Sequence, residues 1–387
     1  MEPLTLSEGS PHRPALNDLA VELAAASAGF RRSLPAGVVR ALAHLVRAMN
    51  CYYSNLIEGH DTHPVDIERA MKNDYSADPH KRDLQLEARA HVTVQGWIDR
   101  GGLSGRAMTV TALCEIHRRF GELLPEALLK VREPDTGEEV VMVPGDLRHR
   151  DVKVGRHIPV SPGALPRFLA RFEEVYGRLG KSETILAAAA AHHRLLWIHP
   201  FLDGNGRVAR LMSHAVLLAA LDTGAIWSVA RGLARRDNEY KSHLDACDSP
   251  RRNDLDGRGT LSEEALAVFT RFFLETCLDQ VKFMEQLVQP DRMRDRMLVW
   301  AEEEVRGERL PAKAGQILEA VLFRGELPRG DVAALLATSD RHARRVVSAL
   351  LERGVLVSDR ARGPLFLTFP AALASRWMPG LFPDKSA

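Results

Sequence analysis

The sequence predicts a mainly α-helical protein: a helical core with a short β-hairpin set into it, followed by a smaller C-terminal block of three helices and a second hairpin. Three observations carry this reading. Apolar residues recur at helical spacing from Ala36 to about Gln289, whereas β-branched residues alternate with polar ones only in short runs bounded by Gly and Pro. After Leu310-Pro311 the pattern restarts with shorter helices and two brief strands.

The elements follow in order. Residues before Ala36 read as a frayed start, and Ala36 to Ile57 as one helix with an apolar stripe at Val38, Leu42, Leu45, Val46 and Met49. Pro64 opens the next helix as its first residue, running through Ile67 and Met71, and Leu84 to Ile98 forms another that Gly101-Gly102 ends. Val110 to Leu123 is helical. Residues 141–162 (VMVPGDLRHRDVKVGRHIPVSP) alternate in the manner of a hairpin, with Arg148, Val152 and Val154 on its exposed face or edge. The Ala- and Leu-rich run from Thr184 to Ile198 reads as a buried helix behind Ser182 as N-cap, with Glu183 in its first turn. Pro200 ends it, because the residue before a proline is pushed out of the helical region.

Length and composition limit the function classes. A chain of 387 residues suits two or three domains and can bury a substantial core. Its 52 Lys plus Arg against 51 Asp plus Glu give a formal net charge of +1, so no partner follows from bulk charge. Cys51, Cys114, Cys247 and Cys277 show no C-x-x-C pairing, which predicts reduced thiols in a cytoplasm-like compartment and no disulfides. The start, MEPLTLSEGSPHRP, lacks a basic segment followed by an apolar run, so no signal peptide is expected. The most apolar long window, Leu211 to Ala230, holds His214, Asp222 and Gly224 and reads as a core helix and turn, not a membrane span. A cytoplasmic protein without a membrane partner is expected.

The most informative stretch is His199 to Arg210, HPFLDGNGRVAR. Gly204-Asn205-Gly206 lets the backbone turn sharply, and Arg207 to Leu221 resumes as a helix whose free N–H groups point back at the loop. That makes an anion site. Asp203 is a hard oxygen ligand suited to Mg2+, and His199 can take a proton near neutral pH, help worth about 10²–10⁴ in rate. Arg207 and Arg210, three apart, can grip successive phosphates. The set points to transfer from a polyphosphate to a hydroxyl.

This run resembles the HPF-x-(D/E)-GNGR-x-x-R signature of the Fic family, whose members commonly transfer AMP from ATP onto a hydroxyl side chain of a target protein. The resemblance implies His199 as base, Asp203 as magnesium ligand, and Gly204, Asn205 and Gly206 as anion cradle, with Arg207 and Arg210 on the outer phosphates. ATP would be the substrate and Mg2+ the cofactor. Upstream, Ser54-Asn55-Leu56-Ile57-Glu58-Gly59 is similar to the (S/T)-x-x-x-E-(G/N) inhibitory motif of many Fic proteins. Ser54 and Glu58 are four apart on one helix face, and Gly59 can stop that helix as a left-handed cap. The resemblance implies that Glu58 pairs with Arg210 and obstructs the nucleotide's terminal phosphate.

The hairpin at 141–162 resembles the family's flap, which implies a target protein held there by strand addition. His192 and His193 precede His199 on one helix but point about 100° apart, which excludes a three-histidine metal site. Tyr240 falls where relatives often place a tyrosine, either near the adenine or in the core.

The C-terminal block has helices at Ala314 to Phe323, Arg329 to Ala337 and Asp340 to Arg353, the last capped by Ser339. Strands at Val355 to Ser358 and Leu365 to Phe369 flank a basic turn holding Arg360 and Arg362. This pattern resembles a winged helix-turn-helix with Arg341, Arg344 and Arg345 on the recognition helix, facing DNA or a protein partner; Asp340, Glu352 and Asp359 dilute the basic face. The expected division is an inhibitory helical region at 1–105, the Fic core at 106–290 and the winged helix at 291–387. A homodimer is left open. The competing reading is a DNA-binding regulator with the core as nucleotide sensor; within the enzyme class, AMP removal or use of another nucleotide stays open.

Overall fold

The computed structural model describes residues 1–132 and 137–383, and these form two compact units. The first comprises residues 1–28, 50–223 and 228–280; the second comprises 29–49, 224–227 and the chain from 281 onward. Helices α1 (Arg13–Arg32), α2 (Ala36–Ile57) and α11 (Glu263–Leu287) contribute residues to both.

The first unit is helical, with α3 (Pro64–Met71), α4 (Pro79–Asp99), α5 (Val110–Gly121), α6 (Leu165–Tyr176), α7 (Lys181–Ile198), α8 (Asn205–Leu221), α9 (Val229–Arg235) and α10 (Asp237–Cys247). The pair α7 and α8 is its centre. The alanines of α7 from 187 to 191 are buried, and so is nearly every residue of α8 up to Leu217. Small side chains on one helix permit close approach by the other, whose larger Leu, Met and Val side chains fill the space between them.

Several expected boundaries moved for local reasons. The start is ordered: Leu16, Ala20 and Leu23 of α1 are buried. Arg194 donates to the carbonyl of Pro3 from Nε at 3.0 Å and Nη2 at 2.9 Å, and the Tyr176 hydroxyl donates to that of Leu4 at 2.5 Å. The expected helix at 84–98 begins at Pro79, where Asp78 caps the free N–H of His80 at 2.9 Å. The helix before the signature begins at Lys181 behind Gly180, so Ser182 lies inside the first turn and is not the cap. Glu183, as expected, is in that turn, and it pairs with Arg13 at 2.5 Å.

The hairpin also shifted. Strands β1 (Lys130–Arg132) and β2 (Glu139–Val141) pair antiparallel, with Val131 opposite Val140. Within 141–162 the described backbone pairing past β2 is a bridge between Val154 and His157. Pro144, Pro159 and Pro162 each remove a donor, and Arg148 turns inward to bond backbone that strands would otherwise use.

The second unit holds α12 (Pro290–Arg306), α13 (Ala314–Arg324), α14 (Val332–Leu335), α15 (Asp340–Glu352) and α16 (Ala374–Trp377), with β3 (Leu356–Val357) and β4 (Phe366–Leu367) paired antiparallel. The helix expected at 329–337 is a 3-10 turn at Arg329–Asp331 leading into the short α14, and both strands are shorter than expected. Ser339 does cap α15, accepting from the N–H of His342 at 3.4 Å. Among the described residues no helix is long and apolar enough to cross a membrane.

Candidate active site

The loop between α7 and α8 is built by its own sequence. His199 closes α7 in a left-handed conformation (φ 51°), which for a residue with a Cβ costs on the order of 1–3 kcal/mol. Arg148 holds it there. Its Nε donates to the His199 carbonyl at 2.7 Å, its Nη1 to that of Arg150 at 2.8 Å and its Nη2 to that of Val160, while its backbone N–H donates to Pro200 at 2.9 Å. Arg148 is 4% exposed, so the expectation of an exposed flap face fails for this residue; Val154 is exposed. Five donors on one planar head suit the carbonyls of a non-repetitive loop.

Asn205 fixes the turn itself. Its Oδ1 accepts from the Phe201 N–H at 2.9 Å and its Nδ2 donates to the Phe201 carbonyl at 2.8 Å, so the side chain is spent on the loop's shape. Gly204 caps α8 at φ 77°, a conformation that favours glycine. Beneath, the ring of His117 stacks on Phe201 with centroids 4.0 Å apart and accepts from the Gly145 N–H at Nδ1, 2.8 Å. Burial pushes His117 down to about 4, so it is neutral, as this acceptor role requires.

His199 is itself pushed down to about 4, chiefly by burial, although a ring N–H donated to the Leu196 carbonyl works the other way. Its imidazole is therefore neutral at physiological pH, with one nitrogen bonded and the opposite one carrying a lone pair. Asp203 is exposed. Among the described residues no three His, Cys, Asp or Glu groups gather into a metal cage. A single exposed carboxylate beside an anion-binding loop fits Mg2+, which takes most of its ligands from water and substrate phosphates.

The arginines are buried. Arg207 lies with its guanidinium 5.0 Å from the centre of the Phe120 ring. Arg210, 3% exposed, donates from Nε to the Ser54 hydroxyl at 2.8 Å and from Nη2 to the Glu58 carboxylate. Gly59 follows at φ 83°, ending the α2 segment that delivers Ser54 and Glu58. Burial raises the Glu58 carboxyl, but the charge and hydrogen bond of Arg210, with Arg207 and His60 further off, bring it below the usual carboxylate range. A Cβ on Gly206 would come within 2.4 Å of its Oε1, so the carboxylate crowds the loop at that glycine. His60 in turn bonds Glu87 of α4 at 2.9 Å.

Two groups were not expected in these roles. Arg148 gave no signal in a basic, Gly- and Pro-punctuated run. Tyr240 is buried with its hydroxyl 2.7 Å from Nε2 of His192 and hydrogen-bonded to Arg210. His192 Nδ1 meets the Ser213 hydroxyl at 2.9 Å, and Ser213 donates to the Ala209 carbonyl, so a buried chain fixes Arg210 from behind.

His199, on a backbone pinned by Arg148, thus stands at the end of α7 just before a glycine loop that starts α8. Residues 107–217 match the family model described as Fic/DOC, so this stretch is a Fic domain. It is 32% identical over 179 residues to the protein adenylyltransferase Fic of Culex quinquefasciatus, covering 44% of this chain and 31% of that protein. The chain spans about a third of the length of the curated relatives it matches. A Fic family protein from Desulfovibrio desulfuricans G20 superposes with a TM-score of 0.53 at 16% identity, over 94% of this chain and 98% of that one. Fic-1 from C. elegans (residues 134–508) gives 0.54 at 17% identity, over 72% and 74%. These likenesses are of fold.

Proposed function

We propose that this chain transfers AMP from ATP to a Ser, Thr or Tyr hydroxyl of a target protein, and that Glu58 holds the reaction down. The observation that carries the reading is His199 at the end of α7, its backbone carbonyl held by Arg148, placed just before the Gly204–Gly206 loop that starts α8. The relatives named protein adenylyltransferase support it. In this reading His199 takes the proton of the target hydroxyl as its oxygen attacks the α-phosphorus. The bond to the β-phosphate oxygen breaks and pyrophosphate leaves.

The backbone N–H groups of Gly204, Asn205 and Gly206 at the start of α8 hold the departing anion, and Arg207 and Arg210 neutralise its outer charge. Asp203 would hold Mg2+, which when bound supplies further charge neutralisation on the phosphates. Glu58 excludes productive phosphate placement by keeping Arg210 and the space over Gly206, with Ser54 and Gly59 setting its position. The 141–162 segment, with Val154 and Ile158 exposed, receives the target. Residues 1–105, 106–290 and 291–387 then serve as inhibitory region, catalytic core and winged helix.

The test is incubation of Glu58→Gly, and of the same variant carrying His199→Ala, with Mg2+ and ATP labelled at the α- or γ-phosphate. The expected result is α-label on protein at ten- to a hundredfold the wild-type level, consistent with loss of a charge-assisted bond of about 1.5–3 kcal/mol, and none without His199. Equal labelling of wild type and Glu58→Gly would remove the autoinhibition. Label arriving from the γ-phosphate would replace AMP transfer with phosphoryl transfer.

A further inference from the structure

The second unit carries a basic surface that the transferase reading does not use. Helix α15 buries Ala343, Val346, Val347 and Leu350 and exposes Arg341, Arg344, Arg345 and Ser348, so its outer face is a stripe at helical spacing with three guanidinium groups. The chain then turns at Gly354 into the β3–β4 hairpin, whose connecting turn exposes Arg360 and Arg362. Among the described residues, none of these five side chains has a hydrogen-bond or ion-pair partner. Elsewhere in the same unit several arginines are engaged: Arg294 with Glu319, Arg309 and Arg353 with Glu304, Arg376 with Glu303.

One acid in the hairpin is already neutralised. Asp359 bonds Arg40 at 3.3 Å, and the Arg40 guanidinium lies 3.8 Å from the centre of the Phe366 ring. The pair removes the carboxylate nearest in sequence to Arg360 and Arg362 from the opposing charge. Asp340 and Glu352 remain at the ends of α15.

We propose that α15 and the β3–β4 turn dock duplex DNA, α15 entering the major groove and Arg360 and Arg362 meeting the flanking phosphates. Three features select this partner. A helix with one face exposed fits the major groove of B-form DNA, whereas the deep, narrow groove of an RNA duplex excludes it. The stripe consists of arginines, which bind phosphate oxygens and the edge of guanine in pairs. An acidic protein surface would call for an apolar anchor at the centre of the contact, and no exposed large hydrophobic side chain lies on α15. The proposal does not depend on the transferase reading, since the five arginines lie outside the residues given catalytic or inhibitory roles.

The test is fluorescence anisotropy of the full chain with a labelled random duplex of about two helical turns, titrated from about 50 to about 200 mM salt. Binding at the low end is expected, with log K falling against log salt at a slope near −4 to −5 if about five phosphates are neutralised. Joint Arg341→Ala, Arg344→Ala and Arg345→Ala substitution should weaken binding at least about tenfold and make the slope shallower by about 3. Arg360→Ala with Arg362→Ala, a change confined to the hairpin turn, should make it shallower by about 2. The proposal is overturned if wild type does not bind at low salt, or if both variants bind as wild type does. Displacement of the duplex by polyglutamate as readily as by unlabelled DNA would also overturn it and assign the face to acidic proteins.

Discussion

Arg148 and His199 are 51 residues apart, and the guanidinium of the first holds the backbone carbonyl of the second at 2.7 Å. The contact is to main chain, not to the imidazole. It fixes where the ring starts. A histidine in a left-handed conformation is strained and persists there only when the surrounding structure determines it. Here the segment expected to receive the target supplies that constraint.

Replacing Arg148 by Ala in the Glu58→Gly background should therefore lower the labelling rate about a hundredfold, with the KM for ATP little changed, because a displacement of about 1 Å is enough to lose alignment. Folding stability should also fall by about 1–3 kcal/mol as buried carbonyls lose their donor. Arg148→Lys should recover only part of both, since an ammonium cannot span several carbonyls. Steady-state kinetics and urea unfolding on the three forms check this; a change confined to KM would contradict it.

The neutral state of His199 sets the pH profile. With its pKa pushed down to about 4, labelling by Glu58→Gly should stay level between about pH 6 and about pH 8 and decline only towards about pH 4. An unperturbed imidazole would halve the rate near 6.5. A midpoint there would show that burial does not govern this group.

Glu58 should not act as an acid-triggered release. Its folded pKa lies below the ordinary carboxylate value, so the clamp's contribution is complete above that ordinary value and is lost only as pH falls through the lower, folded one. Wild type should accordingly show no rise in labelling as pH is lowered from about 7 to about 5. A rise over that span would mean the carboxylate is weakly held.

The segment at 154–157 is tethered by a separate pair, His157 Nδ1 to Asp248 Oδ2 at 3.2 Å, with the other oxygen of Asp248 on His193 at 3.0 Å. Burial works against a charged His157, but its bonds to Asp248 and the Trp197 carbonyl raise its pKa above the usual imidazole value. Burial likewise opposes a charged Asp248, and its two histidine partners hold it far below the usual range. The stability from His157 is present below its unfolded value near 6.5 and lost as pH climbs through the raised folded one; that from Asp248 is lost only in strong acid. Asp248→Asn should thus cost more in melting temperature at about pH 6 than at about pH 8.5, and equal losses at both would argue against charge in the pair.

The sequence revealed most where local chemistry decides. The helix expected from Ala36 to Ile57 matched α2 at both ends, and Ser339 capped α15, because periodicity and caps act over a few residues. It revealed least where distant partners decide. Arg148 resembled surface decoration until the carbonyls of Val160 and His199 closed on it, and Pro3 and Leu4 resembled a frayed end until Arg194 and Tyr176 took up their carbonyls. The small residues of α1, with Ser27 buried beside Leu23 and Phe30, gave too weak an apolar contrast to announce a packed helix.

The position of Glu58 over Gly206 has a genetic consequence. The loop beneath is already shaped by Asn205, so on the proposed reading activity needs the loss of one carboxylate and no new structure. Glutamate and glycine codons differ at a single base. A silent and a labelling allele of this gene are then one transition apart, and spontaneous mutants selected for relief from, or gain of, the modification should cluster at that codon.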